Sequence, residues 1–544
     1  FFKHINSSIF EWFGYAGTTA GMILGESAYY LSIGLFLLFL AGFIVWLVCL
    51  SRYFHRRSLT ISASFPFWKR GVVVLVGACL IGLCIFGIRG RTGYNPIKVS
   101  AAYFCQDAFV NQLGVSPTFN LLTSVMDDMR PENKYLHLMD EQEAITKAQA
   151  LLNRQGEVAV SPLAVYRHAS KADSVQQGRP NVILIMMESM SSKLMKHFGQ
   201  SETLTPFLDS LYTRSISFRN FYSAGIHTNH GLYATLYSFP AMMKRNLMKG
   251  SVIPRYSGLP TVLKENGYYN LFFMTHEGQY DNMNAFFRTN GYDEVFSQEN
   301  YPADKVVNSF GVQDDFLYDY AIPVLNQRAA TGEPFFATLL SISNHPPYVI
   351  PPFFHPKTSE PETQIVEYAD WALRKFFEEA RKQPWFDNTI FVLEGDHGKL
   401  VGDAECELPE SYNHIPLMIY SSRIHPEEKN TFGGQVDIQP TILGLLNIDY
   451  LQNNFGVDLL KEERPCMFYT ADNMIVGRND TLLYLYNYET QQEFTYHIDN
   501  GKLKAVPMDD RFLPLKEYSF SMLQSAEFLV KHGKTVNSVP FTQQ

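Results

Sequence analysis

The sequence predicts an α/β catalytic domain with a mostly parallel sheet, preceded by a helical membrane anchor and followed by a small antiparallel meander. Three features lead to this prediction. Two uncharged apolar stretches lie before residue 90, apolar runs alternate with helical patterns from residue 181 to 464, and short strand-like runs follow residue 465. The 544 residues also exceed what one hydrophobic core supports, so at least two domains are expected.

The anchor prediction depends on Leu31–Leu50 and Gly71–Ile88, which contain no charged residue and are long enough to cross a bilayer. The connector between them, residues 51–70, carries five basic residues and no acidic one. The positive-inside rule therefore places the connector in the cytoplasm and everything after Ile88 outside it. Residues 1–30 fit either a further span or an interfacial stretch, and Phe1 in place of Met leads us to expect an incomplete N-terminus.

Four segments follow from these patterns. Residues 1–100 form the anchor, residues 101–180 a helical connector with a helix over Glu141–Asn153, residues 181–464 the catalytic domain, and residues 465–544 a meander and a terminal helix near Leu515–His532. The clearest catalytic-domain strands are Asn181–Met187, Tyr269–Met274, Phe335–Ile342, Thr389–Leu393 and Leu417–Tyr420.

Composition excludes some function classes. The net charge of −9 argues against a nucleic-acid partner, and 46% hydrophobic residues with only 18% charged residues indicate that part of the chain lies in lipid. Among the six cysteines no pair has zinc-finger spacing. Cys406 and Cys466 can pair if the domain is exported, but their spacing alone does not decide this.

Polar residues follow three of the predicted strands at the point where each strand ends. Glu188 follows the first, Asn344 and His345 follow the third, and Asp396 and His397 follow the fourth. Ligands of open α/β sheets bind outside these strand ends, so the residues are expected to converge into a metal site with oxygen and nitrogen ligands. Each residue alone also fits a purely structural role in a turn or at a helix N-terminus.

A candidate nucleophile lies in Gly225–Gly231 (GIHTNHG), after a predicted strand over Ser217–Tyr222. A predicted helix follows it, and a hydroxyl at a helix N-terminus lies beside backbone N–H groups that hold phosphate. A divalent ion would lower the pKa of the Thr228 hydroxyl. The alternative is that Thr228 is only an N-cap.

The order of motifs NVILIMMES, GIHTNHG, SISNHPPY, VLEGDHGK and GGQVDIQPTILGLL resembles the lipoteichoic acid synthase family of the alkaline phosphatase and sulfatase-like superfamily. The resemblance covers about residues 180–460. It implies a multi-pass protein of the bacterial cytoplasmic membrane whose catalytic domain is extracytoplasmic. It also implies one divalent metal ion, with manganese expected and magnesium or zinc as alternatives.

The resemblance assigns roles residue by residue. It implies that the metal ligands are Glu188, Thr228, Asp396 and His397, and that Thr228 is also the nucleophile. It implies that His345 contacts the phosphoryl group or assists proton transfer, and that Gly433–Leu446 is structural. Weaker substrate-binding candidates are Asn344, His276, His414 and His230.

Two departures from related families affect the choice of substrate. No Cys or Ser followed by Pro and Arg surrounds Thr228, which argues against the formylglycine chemistry of sulfatases. Where lipoteichoic acid synthases place an arginine for glycerol phosphate, Tyr280–Arg288 offers Asn282, Met283 and Asn284, and Arg288 is out of phase. The transferred group can therefore differ from glycerol phosphate.

The resulting hypothesis is transfer of phosphoglycerol from phosphatidylglycerol to an extracytoplasmic lipid or glycan acceptor through a Thr228-linked intermediate. One rival hypothesis is a phosphoethanolamine transferase, although those enzymes usually carry several disulfides and only Cys406 and Cys466 are available in the exported part. A second is a metal-dependent phosphodiesterase or phosphatase, and a third is a non-catalytic envelope protein.

Overall fold

The computed structural model describes residues 30–60, 66–93, 95–105, 108–130, 135–154, 157–160, 162–168, 179–249, 253–499 and 501–537. The chain divides into two compact units. The smaller unit comprises residues 4–98 and 116–125, and the larger unit contains the rest.

Two long helices dominate the smaller unit, α1 over Tyr30–Thr60 and α2 over Phe67–Arg89. Each contains a stretch that is long and apolar enough to cross a membrane, residues 30–56 in α1 and 71–89 in α2. The side chains in these stretches are not buried within the protein, as expected for helices that are apolar on every face. The predicted spans over Leu31–Leu50 and Gly71–Ile88 lie inside these helices.

The remaining helices and the strands alternate along most of the chain. The helices are α3 Ala108–Leu113, α4 Pro117–Asp128, α5 Glu141–Leu152, α6 Pro206–Tyr212, α7 Thr228–Tyr237, α8 Leu259–Glu265, α9 Met283–Thr289, α10 Asp314–Ala329, α11 Pro361–Ala380, α12 Ile438–Leu445 and α13 Leu513–Lys531. The strands are β1 Val165–Arg167, β2 Asn181–Met187, β3 Ile216–Tyr222, β4 Tyr269–Met274, β5 Glu294–Phe296, β6 Val306–Asn308, β7 Gly311–Val312, β8 Phe335–Leu340, β9 Thr389–Gly395, β10 Leu417–Tyr420, β11 Glu427–Gly434, β12 Tyr450–Gln452, β13 Met467–Ala471, β14 Met474–Arg478, β15 Leu482–Asn487, β16 Glu493–Asp499 and β17 Lys502–Ala505.

An eight-stranded sheet with the order β11-β3-β10-β9-β2-β8-β4-β5 forms the centre of the larger unit. Within this sheet only β10 runs antiparallel to its neighbours. The prediction of an α/β domain with a mostly parallel sheet is therefore confirmed.

Strand β2 shows why a continuous apolar run folds as a central strand. All seven of its residues are buried, and successive side chains enter different cores on the two faces of the sheet. Val182, Leu184 and Met186 join one core. Ile183, Ile185 and Met187 join the other. A strand covered on both faces needs apolar side chains at every position, which is the pattern of parallel sheets.

The register of the sheet brings three strand ends to one level. Met187 of β2 pairs with Gly395 of β9, and Met186 pairs with Leu340 of β8. The residues that follow β2, β8 and β9 therefore begin at the same edge of the sheet. This edge carries the candidate site.

The C-terminal part forms a second sheet in which β13 to β17 pair antiparallel in sequential order. Helix α13 packs against β13, β14 and α5. The predicted meander and terminal helix are both present. Cys406 and Cys466 are both free thiols in the structure.

A buried ion pair joins the segment before α12 to the segment before β13, and its arginine also contacts α13. The Arg464 guanidinium Nε donates to both carboxylate oxygens of Asp437, at 3.0 and 2.9 Å, and Nη1 donates to the Tyr518 hydroxyl at 2.6 Å. The side chains of Arg464 and Asp437 are only 1% and 0% exposed. Removing one member of such a pair leaves the other charge buried without compensation.

Arg464→Met should therefore destabilise the protein by about 3–5 kcal/mol, because Asp437 would remain charged in the core. Chemical denaturation of the detergent-purified protein measures this change. Arg511→Met is the matched control, because the Arg511–Asp509 pair is exposed and its loss should leave the midpoint unchanged. Equal midpoints for the two variants would contradict the structural role of Arg464.

Candidate active site

Two buried carboxylates and a histidine meet at the carboxyl edge of the central sheet. Glu188 follows β2 and Asp396 follows β9, and they are 2% and 0% exposed. His397 Nε2 lies 3.8 Å from Glu188 Oε1 and 3.6 Å from Asp396 Oδ2. One potential ligand atom from each residue lies within 4.8 Å of the others. The structure thus brings together three of the four predicted metal ligands by their side chains.

Thr228, the fourth predicted ligand, is the first residue of α7. Its hydroxyl donates to Glu188 Oε2 at 3.5 Å. Helix α7 begins here because His227 adopts an extended backbone, with φ −132° and ψ 145°, immediately before it. The amides of a first helical turn have no carbonyl partner within their own helix, so they favour an anion at this point.

The electrostatics of the cluster fit a cation. Burial raises the pKa of Glu188 well above its usual value, and the neighbouring Asp396 charge raises it further. Asp396 Oδ2 is buried and has no hydrogen-bond partner among the described residues. Two carboxylates held together in this way need a positive charge between them, or one of them must take up a proton.

The orientation of His397 completes a suitable ligand set. Its Nδ1 donates to the Gly398 carbonyl oxygen at 2.8 Å, which in the neutral ring leaves the lone pair on Nε2, the atom near the carboxylates. Two carboxylates, one imidazole and one hydroxyl fit a divalent ion such as Mn²⁺, Mg²⁺ or Zn²⁺. The residues that would hold it are Glu188, Thr228, Asp396 and His397.

Ser189 supports the carboxylates and was not identified from the sequence. Its backbone N–H donates to Asp396 Oδ1 at 2.8 Å, and its hydroxyl donates to Glu188 Oε1 at 2.6 Å. Its backbone lies in the left-handed region, with φ 51°, which is costly for a residue with a side chain. Its position next to Glu188 is the one signal in the sequence that points to it.

Gln435 connects the segment that carries Asp396 to the loop that leads into Thr228. Its side-chain amide donates to the carbonyl oxygens of Gly395 and Asp396, at 3.1 and 2.8 Å, and its Oε1 accepts from the Ala224 N–H at 2.9 Å. The end of β9 is thereby tied to the loop that leads into Thr228. Gln435 lies in Gly433–Leu446, the segment predicted to be structural.

Asn344 contacts the backbone of the loop that carries Glu188. Its side-chain N–H donates to the carbonyl oxygens of Glu188 and Ser189, at 3.1 and 3.2 Å. Lys399 in turn donates to Asn344 Oδ1 at 2.6 Å, and burial lowers the pKa of Lys399 to about 8. Asn344 therefore positions the loop that carries Glu188, and Lys399 was not identified from the sequence.

His345 has a polar ring atom available for proton transfer. Its Nδ1 donates to the Pro346 carbonyl oxygen at 2.6 Å, and its ring lies 4.1 Å from that of Phe310. Burial lowers the pKa of His345, which keeps the ring neutral at pH 7. In that form Nε2 carries the lone pair.

The three remaining predicted histidines differ in their surroundings. His230 is fully buried on α7, and burial lowers its pKa to about 3. His276 Nδ1 lies 3.1 Å from the Glu277 carbonyl oxygen, and its ring packs on Tyr280. His414 Nε2 donates to the Arg219 carbonyl oxygen at 2.8 Å and its ring stacks on Tyr222, so it is engaged with β3.

The side chains of the stretch Tyr280–Arg288, which corresponds to the arginine position of lipoteichoic acid synthases, make their contacts within the protein. Asn282 donates to the Met248 carbonyl oxygen at 2.7 Å, and Asn284 donates to that of Tyr103 at 2.6 Å. Met283 is fully buried. Arg288 Nε donates to Asn284 Oδ1 at 2.8 Å and Nη2 donates to the Val295 carbonyl oxygen at 3.3 Å.

The fold and the site define a class of protein. Residues 180–448 match the sulfatase family model. A protein of the alkaline phosphatase superfamily from Vibrio parahaemolyticus superposes with a TM-score of 0.66 at 24% identity, covering 75% of this chain and all of that one. The lipoteichoic acid synthase LtaP from Listeria monocytogenes has a TM-score of 0.59 at 21% identity, covering 71% of this chain and 98% of its own. Residues 180–448 therefore resemble a sulfatase domain, and the larger unit shares its fold with these two solved structures.

Comparison with known sequences shows which proteins of this fold the chain resembles. The chain is 24% identical to lipoteichoic acid synthase 2 of Bacillus subtilis (strain 168), over 52% of this chain and 47% of the relative. It is 25% identical to lipoteichoic acid synthase 1 of the same organism, over 60% of this chain and 54% of the relative. The matches thus span about half the length of these relatives. The predicted resemblance to lipoteichoic acid synthases is confirmed.

Gly231→Ala should displace Thr228 and the Asp396 backbone without removing a predicted ligand side chain. A Cβ at Gly231 would lie 2.4 Å from the Asp396 carbonyl oxygen, so α7 must move away from β9. We expect a loss of about 1–3 kcal/mol in stability and weaker Mn²⁺ binding, measured by denaturation and calorimetry. Gly42→Ala, also within a helix but with nothing within 4 Å of its Cβ, is the control. A stabilised Gly231→Ala variant would contradict this packing.

Asp396→Asn should remove metal-dependent stabilisation. Mn²⁺ at about 100 times its Kd should stabilise the wild-type protein by about 2.7 kcal/mol, because only the folded chain assembles the ligands. The variant should show no upward shift of the thermal midpoint when Mn²⁺ is added. Asp403→Asn, at an exposed carboxylate, should behave as wild type. Equal shifts in all three proteins would exclude Asp396 as a ligand.

Proposed function

We propose that the protein is a metal-dependent phosphotransferase that moves phosphoglycerol from phosphatidylglycerol to an extracytoplasmic lipid or glycan acceptor. The observation that carries the proposal is the Thr228 hydroxyl, 3.5 Å from a buried carboxylate that is clustered with Asp396 and His397. Similarity to lipoteichoic acid synthases supports the same reaction class.

In the first step the Thr228 oxygen attacks the phosphorus atom of the lipid. The bond between phosphorus and the diacylglycerol oxygen breaks, and diacylglycerol leaves as it gains a proton. The threonine hydroxyl loses a proton, and glycerol remains attached through a phosphodiester to Thr228. A divalent ion at the site would lower the pKa of the hydroxyl and offset negative charge on the phosphoryl oxygens.

The chain's own groups orient the phosphoryl group. The N-terminal amides of α7 favour an anion beside Thr228. Ser189 and Asn344 hold the Glu188 loop in place, so the nucleophile keeps its position relative to the carboxylates.

In the second step a hydroxyl of the acceptor attacks the same phosphorus atom. The bond from phosphorus to the Thr228 oxygen breaks, the acceptor hydroxyl loses its proton and the threonine hydroxyl regains one. The neutral His345 ring can take up a proton on Nε2 because its Nδ1–H is held by the Pro346 carbonyl oxygen. His345 is therefore the proposed proton-transfer group.

The membrane anchor fits a lipid substrate. Helices α1 and α2 are suited to span the bacterial cytoplasmic membrane. The five basic residues of 51–70, which lie at the end of α1 and the start of α2, favour an extracytoplasmic catalytic domain. Tethering to the bilayer raises the effective concentration of a lipid donor and a lipid acceptor at the site.

Thr228→Ala should reduce turnover by about 10³-fold or more while metal binding persists through the other three ligands. The assay follows release of fluorescent diacylglycerol from vesicle phospholipids in the presence of Mn²⁺. Thr213→Ala, at an exposed threonine beyond α6, is the control and should retain activity.

Repeating the assay with vesicles of different phospholipids separates the candidate reactions. Release from phosphatidylglycerol that is lost in Thr228→Ala supports the proposal. Release from phosphatidylethanolamine alone would indicate a phosphoethanolamine transferase, and retained transfer by Thr228→Ala would exclude the nucleophile. Release of free glycerol phosphate would show that water replaces the acceptor, and it would indicate a phosphodiesterase.

A further inference from the structure

Three polar side chains form a second cluster next to the nucleophile. Asn229 follows Thr228 directly, and its side-chain N–H donates to Asp281 Oδ2 at 3.1 Å. Lys249 Nζ lies 2.8 Å from the other carboxylate oxygen of Asp281. We name Asn229, Lys249 and Asp281 the Lys249 cluster. It brings together residues from α7, from the segment before α8 and from the turn after β4.

Backbone contacts hold the Lys249 cluster in place. Asp281 and Asn282 both have left-handed backbones, with φ 47° and 68°. The Asn282 side chain fixes this turn by donating to the Met248 carbonyl oxygen at 2.7 Å, next to Lys249. A left-handed backbone is costly for a residue with a side chain, although aspartate and asparagine tolerate it better than most, so the surrounding packing must enforce the turn.

A row of aromatic rings connects Tyr280, the residue before Asp281, to His345. The Tyr280 ring packs 4.7 Å from His276 and 6.2 Å from Phe310, and Phe310 packs 4.1 Å from His345. Burial raises the pKa of Tyr280 to about 12, with smaller contributions from the charges of Asp281 and Glu188. Asp281 lies close to Thr228 because its carboxylate accepts the hydrogen bond from Asn229, the residue that follows Thr228.

The charges of the Lys249 cluster favour a particular chemistry. Lys249 offsets the Asp281 charge, and both side chains retain solvent exposure, 37% and 19%. Asn229 Oδ1 is buried and accepts no hydrogen bond from the described residues. A hydroxyl group can donate to Asn229 or Asp281 and accept from Lys249, whereas an ammonium group would lie beside the like charge of Lys249.

We infer that Asn229, Lys249 and Asp281 form the subsite for the group beyond the transferred phosphate, and that this subsite selects a neutral polyol over an ammonium headgroup. The inference rests on the proposed function for the identity of that group. It assigns to Lys249 the discrimination between phosphoglycerol and phosphoethanolamine.

The test measures binding rather than turnover. Calorimetry on the full-length Thr228→Ala protein with Mn²⁺ uses three probes, glycerol phosphate, ethanolamine phosphate and inorganic phosphate. Glycerol phosphate should bind about tenfold more tightly than ethanolamine phosphate, because of the like-charge contact with Lys249. Adding Lys249→Met should bring that ratio close to one and leave the affinity for inorganic phosphate unchanged.

Further variants protect the test against a general folding defect. Asp281→Asn leaves the Lys249 charge without compensation, so it should raise the preference for glycerol phosphate, opposite to Lys249→Met. Lys249→Arg should keep the preference. Lys244→Met is the matched control, because Lys244 pairs with Glu489 at 3.4 Å on the same segment and is 47% exposed.

Each outcome bears on the subsite separately from the reaction. The inference would be overturned if Lys249→Met and Asp281→Asn leave the ratio of the glycerol phosphate and ethanolamine phosphate affinities unchanged. It would also be overturned if glycerol phosphate does not bind. A shifted ratio in a protein that releases no diacylglycerol from vesicles would support the subsite and exclude the proposed transfer. If the Lys249→Met protein still turns over phosphatidylglycerol in preference to phosphatidylethanolamine, the result would support the reaction and exclude the subsite.

Discussion

The structure of the site depends on two carboxylates held side by side in a buried crevice. Glu188 and Asp396 are almost fully enclosed, and their side-chain ion pairs in the described structure are with His397. Keeping two buried carboxylates ionised costs several kcal/mol each unless a positive charge compensates them. The cluster therefore suits a cation, and in the proposed reaction the Thr228 hydroxyl lies beside both that cation and the first turn of α7.

Segments distant in sequence enforce this arrangement. Gln435 holds the end of β9 against the loop before Thr228, and Asn344 holds the Glu188 loop. The C-terminal sheet also reaches the nucleophile, since Asp472 in the turn between β13 and β14 pairs with His227 at 2.9 Å. The meander is thus part of the framework of the site, because it contacts the residue that immediately precedes Thr228 and α7.

In the proposed reaction the two polar clusters divide the recognition of one substrate. The carboxylate cluster suits the phosphate and its attack by Thr228, whereas the Lys249 cluster suits the group attached beyond the phosphate. The apolar helices α1 and α2 fit this proposal, because tethering to a bilayer would raise the effective concentration of a lipid substrate.

The sequence by itself determined the apolar strands and the polar residues that end them. A seven-residue run such as Asn181–Met187 is continuous because both faces are covered, and parallel strands place Glu188 and Asp396 at one edge without further information. Only the tertiary structure decided the roles of Ser189, Gln435 and Lys249. Their partners lie far away in sequence or depend on one turn's backbone angles, and such pairings arise from packing rather than from any local pattern.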